Sequence, residues 1–122
     1  MPTLKDKSDF GVLTEVVSDS VRVVAVAGEL DIASVTAFRD ALQQVTEHQV
    51  SGLVVDLSRV TFVDSVGVGT ILHAKRRLDE NARLGIVVPA QSYAGVIFDV
   101  VGADALVDVF PTRADALAHV TA

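Results

Sequence analysis

With 122 residues, the chain suffices for one domain that buries about two-thirds of its unfolded surface. Half of the residues are hydrophobic but only six are aromatic, so the core has to be aliphatic, which suits a partly parallel sheet covered by helices. The lack of cysteine excludes disulfides, thiolate metal sites and cysteine nucleophiles, and a formal net charge of -6 opposes a role on nucleic acid, whose phosphates require a positive footprint.

A basic protein surface suits this charge better as a partner. No run reaches the ~18 consecutive apolar residues of a membrane span, and the uncharged stretch Gly85 to Phe98 is broken by Pro89, Gln91, Ser92 and Gly95. Met1 to Lys7 lacks the apolar centre of a signal peptide. A cytoplasmic protein without membrane insertion is expected.

Residues 1–9 are polar and read as a flexible arm, with a single domain over 10–122. Phe10 to Val17 and Val21 to Ala27 are β-rich runs separated by Ser18-Asp19-Ser20, a connection suited to a hairpin. The second run is too apolar for a wet edge and belongs inside the sheet. Gly28 to Asp31 turns the chain, and Ser34 is placed to cap a helix in which Val35, Phe38, Leu42 and Val45 recur at helical steps. Leu53 to Leu57 predicts a buried strand, followed by a polar link and a helix from Ser65 to about Asn81. Ile86 to Val88 predicts another strand, ended by Pro89. Ser92 to Val101 reads as a helix stopped by Gly102 in the left-handed cap position. A short strand over Leu106 to Phe110 and a helix capped by Thr112 and running through Ala118 complete the chain. A hairpin followed by alternating helices and strands predicts an α/β domain, its mixed sheet covered by about four helices and its parallel strands joined by right-handed crossovers. Val24, Val26, Val54, Val55, Val87 and Val88 are its expected core, with Ile71 and Ala74 packed on it.

The segment Asp56 to Gly69, DLSRVTFVDSVGVG, is the most informative, because it puts an acid and a hydroxyl where a buried strand gives way to a helix. With Asp64 as N-cap, its carboxylate takes the orphan amides of the first turn and Ser65 becomes the first helical residue, its hydroxyl outward. A phosphate there sits near the positive end of the helix dipole, which the fold tolerates. At about 100° per residue, Ser65, Gly69, Leu72 and Arg76 share one stripe, while Gly67, Ile71, Ala74 and Leu78 form another that faces the sheet. The first stripe is the candidate docking face. Gly69 costs helix propensity, which a closely approaching partner backbone would explain as well as simple tolerance in the first turns.

Other chemistries fit less well. Asp31, Asp56 and Asp64 at strand ends could hold a metal or accept a phosphoryl group, but turn formation and capping explain them better, and a receiver-type lysine near a late strand end is missing. Val63 stands where a nucleophile elbow needs glycine, and His73 is ~12 Å along the helix from Ser65, too far to take its proton. His48 and His119 read as solvent-facing helix-end residues. Leu72 occupies the third glycine position of a dinucleotide fingerprint, and three scattered histidines without cysteine make no metal site.

Three islands resemble the STAS family of sulfate transporter and anti-sigma factor antagonist domains: Gly28-Glu29-Leu30-Asp31 before the first long helix, Phe62 to Gly69 as the central motif, and Ile97 to Gly102 as a later helix end. The free-standing anti-sigma factor antagonists are the most similar subgroup. Val66 departs from their commonest spelling, a second serine, which removes an alternative phosphoacceptor. The resemblance implies a binding module, not an enzyme. In such proteins the unphosphorylated domain binds an anti-sigma factor with kinase activity and releases the sigma factor. Phosphorylation at the position of Ser65, with ATP and magnesium held by the partner, ends the complex, and a serine phosphatase restores it. The partner face implied here comprises Gly28, Glu29, Leu30, Asp31, Asp64, Val66, Gly69, Leu72 and Arg76, with no cofactor of the domain's own. Two readings stay open beside it: a STAS subunit docked constitutively in a lipid-transport ATPase or sensory complex, and a small hydrolase using Ser65.

Overall fold

The computed structural model describes residues 10–122, so the arm expected at 1–9 lies outside the described residues. Strands β1 (Gly11–Ser18) and β2 (Val21–Leu30) form the hairpin, antiparallel, with Val12 opposite Val26 and Thr14 opposite Val24. Parallel pairing then adds β3 (Gly52–Val63), β4 (Arg83–Val87) and β5 (Asp108–Phe110), giving one sheet in the order β1-β2-β3-β4-β5. Helices α1 (Val35–Glu47), α2 (Ser65–Arg77) and α3 (Tyr93–Val100) make the crossovers, and α4 (Arg113–Thr121) closes the described chain. The mixed α/β architecture is the one the residue pattern predicts.

Strand neighbours that follow one another in sequence, each reached by a right-handed crossover, put all three crossover helices on one side of the sheet. The larger core lies there, where Val24, Val26, Val55 and Ile86 meet Phe38, Leu42, Ile71, Ala74 and Phe98. Alternate strand residues face the other side, where Val21, Val23, Val54 and Val87 pack on Ala116 and Val120 of α4. All six expected core valines are buried, as are Ile71 and Ala74. The smaller core covers only part of its face, because α4 spans β3 and β4 and leaves Leu13 and Val17 of β1 exposed.

Several expected boundaries change. Gly28 to Leu30 do not turn the chain but remain in β2, and β3 runs through the supposed polar link to Val63. Two register shifts allow this: Ala25 to Leu30 on β2 pair with Asp56 to Val63 on β3, so β3 accommodates two additional residues. Gly28 adopts φ 95°, which a side chain would resist, beside the second shift. Helix α2 ends at Arg77 rather than near Asn81, because Asp79 instead accepts from the Asn81 and Ala82 amides in a turn of its own. The segment before β5 also differs: the Leu106 and Val107 amides bond back to the Ala103 carbonyl, which delays the strand to Asp108. Gly102 does hold the left-handed conformation, at φ 73°.

Candidate functional site at the Asp64–Ser65 edge

The motif lies where β2 and β3 end together. Leu30 pairs with Val63, and the Asp64 amide donates to the Leu30 carbonyl at 3.3 Å, so the last residues of β2 border the start of α2. Asp64 is extended and caps the helix as expected, its Oδ1 accepting from the Val66 amide at 3.0 Å and the Gly67 amide at 3.2 Å. Ser65 is therefore the first helical residue, and it is exposed. Its hydroxyl stands on a rigid support. A Cβ added to Gly67 would lie 2.9 Å from Val63 Cγ2 and 3.0 Å from Leu30 Cγ, so only glycine lets the first turn of α2 seat this closely on both strands.

The β2–α1 connection is built by a second acid. Asp31 Oδ1 accepts from the amides of Ala33 and Ser34 at 3.0 and 3.2 Å, while the Ser34 hydroxyl donates to the Glu29 carbonyl at 2.6 Å. Ser34 stands at the N-cap of α1, yet its side chain makes no cap bond. It is turned back into the loop instead, which corrects the capping role expected of it. These bonds leave Glu29, Ile32 and Ala33 exposed on the same edge as Ser65.

The expected docking stripe is partly preserved. Ser65, Gly69 and Arg76 are exposed, but Leu72 is half-buried against the large core, because its position on the helix is the shoulder next to buried Val68. Arg76 is eleven residues from Ser65, ~16 Å along the axis, at the far end of the helix. Val66 is half-buried and faces α1. Gly28, Glu29, Leu30, Asp31 and Asp64 do gather at the edge; of these, Leu30 is fully buried and supports the surface without forming part of it. A contact that sequence reasoning did not foresee also reaches it. Phe62 stacks on Tyr93 with ring centroids 5.3 Å apart, extending an apolar surface from the motif onto α3, where Val96 and Val100 are exposed. The signal was present in α3, where Val96, Ile97 and Val100 add apolar residues beyond the buried face of Ala94 and Phe98.

Asp31, Asp56 and Asp64 do not converge on a metal. Asp56 is not at a strand end but is the fifth residue of β3, buried on the α4 side of the sheet. Its Oδ2 accepts from Arg113 Nε at 2.8 Å and its Oδ1 from the Ser58 amide at 2.9 Å, and Arg113 also reaches Glu15 on β1 at 2.9 Å. Burial acts to raise the Asp56 pKa, but the hydrogen bonds from Ser58 and Arg113 and the charge of Arg113 outweigh it and hold the carboxyl below its usual range. The same partners, Glu15 first and Asp56 next, raise the pKa of Arg113. Among the described residues, no group of three or more His, Cys, Asp or Glu is arranged to hold a metal. His119 is not a free helix-end residue either, since its Nε2 lies 3.2 Å from Asp108 and its ring tilts over Phe110. No helix of the described chain is long and apolar enough to cross a membrane.

The family model described as "Mlab, STAS domain" matches residues 13–108, so the chain belongs to the STAS family. It is similar to the anti-sigma-F factor antagonist RsfB of Mycobacterium tuberculosis, 29% identical over 110 residues covering 88% of this chain and 89% of that protein. An anti-sigma-B factor antagonist of Staphylococcus epidermidis is 26% identical over 91 residues, covering 75% of this chain and 84% of its own length. The crystal structure of an anti-sigma factor antagonist from Mycobacterium paratuberculosis superposes with a TM-score of 0.87 at 29% identity, covering 98% of this chain and 100% of that one.

Proposed function

We propose that this chain is an anti-sigma factor antagonist whose unphosphorylated form binds an anti-sigma factor with serine-kinase activity, frees the sigma factor, and is switched off by phosphate on Ser65. The observation that carries this reading is the exposed hydroxyl of Ser65 at the head of a helix already capped by Asp64, on a chain related to proteins bearing that name.

The hydroxyl oxygen of Ser65 attacks the γ-phosphorus of ATP held by the partner; its proton passes to a base of the partner and ADP leaves. The chain is the substrate of this step, not its catalyst. Asp64 has a structural part, because by occupying the Val66 and Gly67 amides it fixes the first turn and directs Ser65 outward. The phosphate adds about -1.5 to -2 charges beside the Asp64 carboxylate, so the new charge faces the partner instead of finding amides of its own helix. A desolvated interface cannot hold that charge unpaired, and the complex opens. A serine phosphatase resets the switch.

Incubation with a cognate anti-sigma kinase and magnesium ATP tests the reading directly. The chain takes one phosphate, at Ser65 by mass spectrometry, and Ser65→Ala takes none. Phosphate on Ser58 or Thr70 instead would refute the assignment.

A further inference from the structure

A groove of about 270 Å³ runs between α1 and α2. Its floor is apolar, formed by Leu42, Val66 and Ala74, and its rim carries Arg39, His73 and Arg77. Gly69 keeps it open at mid-length, since a Cβ built there would meet nothing within 4 Å. No carboxylate lines it, although acids outnumber bases by 16 to 10 in the whole sequence. Of the other described cations, Arg59 and Arg76 are also exposed on other faces, and four are engaged. Arg22 donates to the Ser18 carbonyl, Lys75 to that of Leu106 and Arg83 to that of His119, while Arg113 pairs with Asp56 and Glu15. Arg39 and Arg77 pair with no carboxylate among the described residues.

We infer that this groove receives an acidic, amphipathic helical segment of the protein that docks at Ser65. The inference rests on the reading of Ser65 as the switch at a docking edge. Val66 to Arg77 spans ~16 Å, the length of a three-turn helix, which lays apolar residues on the floor and carboxylates between Arg39 and Arg77. Charge complementarity selects an acidic occupant over a basic one, and the net charge of -6 disfavours a nucleic acid in the same slot. The arrangement also gives the switch a second lever. Ser65 and Gly69 are one helical turn apart on one stripe, so a phosphate on Ser65 adds negative charge at the mouth of a groove through which an acidic segment enters.

The test is a titration of the ¹⁵N-labelled full chain with a synthetic helix of glutamates carrying leucine at i, i+4 and i+7, and with its lysine counterpart. The glutamate peptide alone produces saturable amide shifts at Arg39, Gly69, His73 and Arg77. Its affinity falls about tenfold in Arg39→Glu/Arg77→Glu, and falls as salt rises, as expected for charges across a partly exposed interface. Equal binding of the lysine peptide, shifts confined to other faces, or indifference to the double reversal overturns the inference. Calorimetry with the cognate anti-sigma factor separates this claim from the one beneath it. If Ser65→Glu abolishes binding while the double reversal leaves it unchanged, the groove is wrong and the Ser65 reading stands. If the double reversal weakens binding while Ser65→Glu does not, the groove stands and the switch reading falls.

Discussion

Arg113, the first residue of α4, donates its Nε–H to the carboxylate of Asp56 in the middle of β3 at 2.8 Å, across 57 positions of sequence. The same guanidinium holds Glu15 on β1, so one side chain ties the last helix, the central strand and the edge strand together on the face that α4 covers only in part. Its fork geometry serves two acids at once, which an ammonium group does less well.

Removing Arg113 leaves a buried carboxylate with Ser58 as its remaining hydrogen-bond partner. Arg113→Ala should therefore cost about 1–3 kcal/mol, toward the lower figure because the guanidinium is about a third exposed and partly screened by water. Arg113→Lys should recover only part of the loss. Urea unfolding of the three proteins measures it, and a midpoint unchanged in Arg113→Ala would mean that the pair contributes nothing net.

The same carboxylate sets an acid limit. Its folded pKa lies below the value of about 3.9 expected in the unfolded chain, so its contribution to stability is complete above that value and is lost as pH falls through the folded pKa. Asp56→Asn should remove this component, leaving a variant less stable at neutral pH whose stability declines less steeply below pH ~4. Unfolding measured from pH 6 downward gives the two slopes; parallel curves would show that other carboxylates account for the acid sensitivity.

The hairpin, the order of elements and the six core valines follow from periodicities of two and of 3.6, which burial reinforces at every turn. Asp64 was legible as a cap for the same reason, since its role is local and satisfied within three residues. Ser34 misled because its hydroxyl donates to the Glu29 carbonyl and accepts from the Asp31 amide, bonds within the loop that a cap-forming residue type does not reveal. The length of β3 was hidden by Ser58 and Arg59, two exposed residues that look like a loop, whereas they stand at a register shift within a strand. Asp56 read as a strand end because its partner is remote. No local pattern links Asp56 to Arg113, and the same holds for Phe62 and Tyr93.

Two glycines in α2 should respond with opposite signs. Gly67→Ala drives a methyl to within 3 Å of Val63 and Leu30, both buried and unable to swing away, so the gain in helix propensity is outweighed and a net loss of about 1–2 kcal/mol follows. Gly69→Ala meets open space and should stabilise the domain by up to ~1 kcal/mol. Thermal unfolding of both variants checks the seating of α2 on the sheet: equal effects would mean that the first turn does not approach the strands as closely as the geometry requires.

Binding is the most demanding test of the Ser65 edge, because it has to separate charge, bulk and folding. Ser65→Ala removes only an exposed hydroxyl and should bind the anti-sigma factor with or without ATP, whereas the wild type should lose affinity as it is phosphorylated. Ser65→Glu should bind worse, since a carboxylate at this position enters the contact desolvated and unpaired. Gly69→Leu should weaken binding by bulk on a surface that glycine leaves open, and its better helix propensity means that the loss cannot be assigned to unfolding. The phosphorylated protein needs the same control. The helix dipole favours the added charge and the Asp64 carboxylate opposes it, so its thermal midpoint should stay close to that of the unmodified chain, a difference below ~1 kcal/mol. Calorimetry on the three variants and the wild type, each checked by thermal unfolding, decides the matter. Equal affinities throughout would place the interface elsewhere, and a large loss of stability on phosphorylation would make the switch one of folding instead of docking.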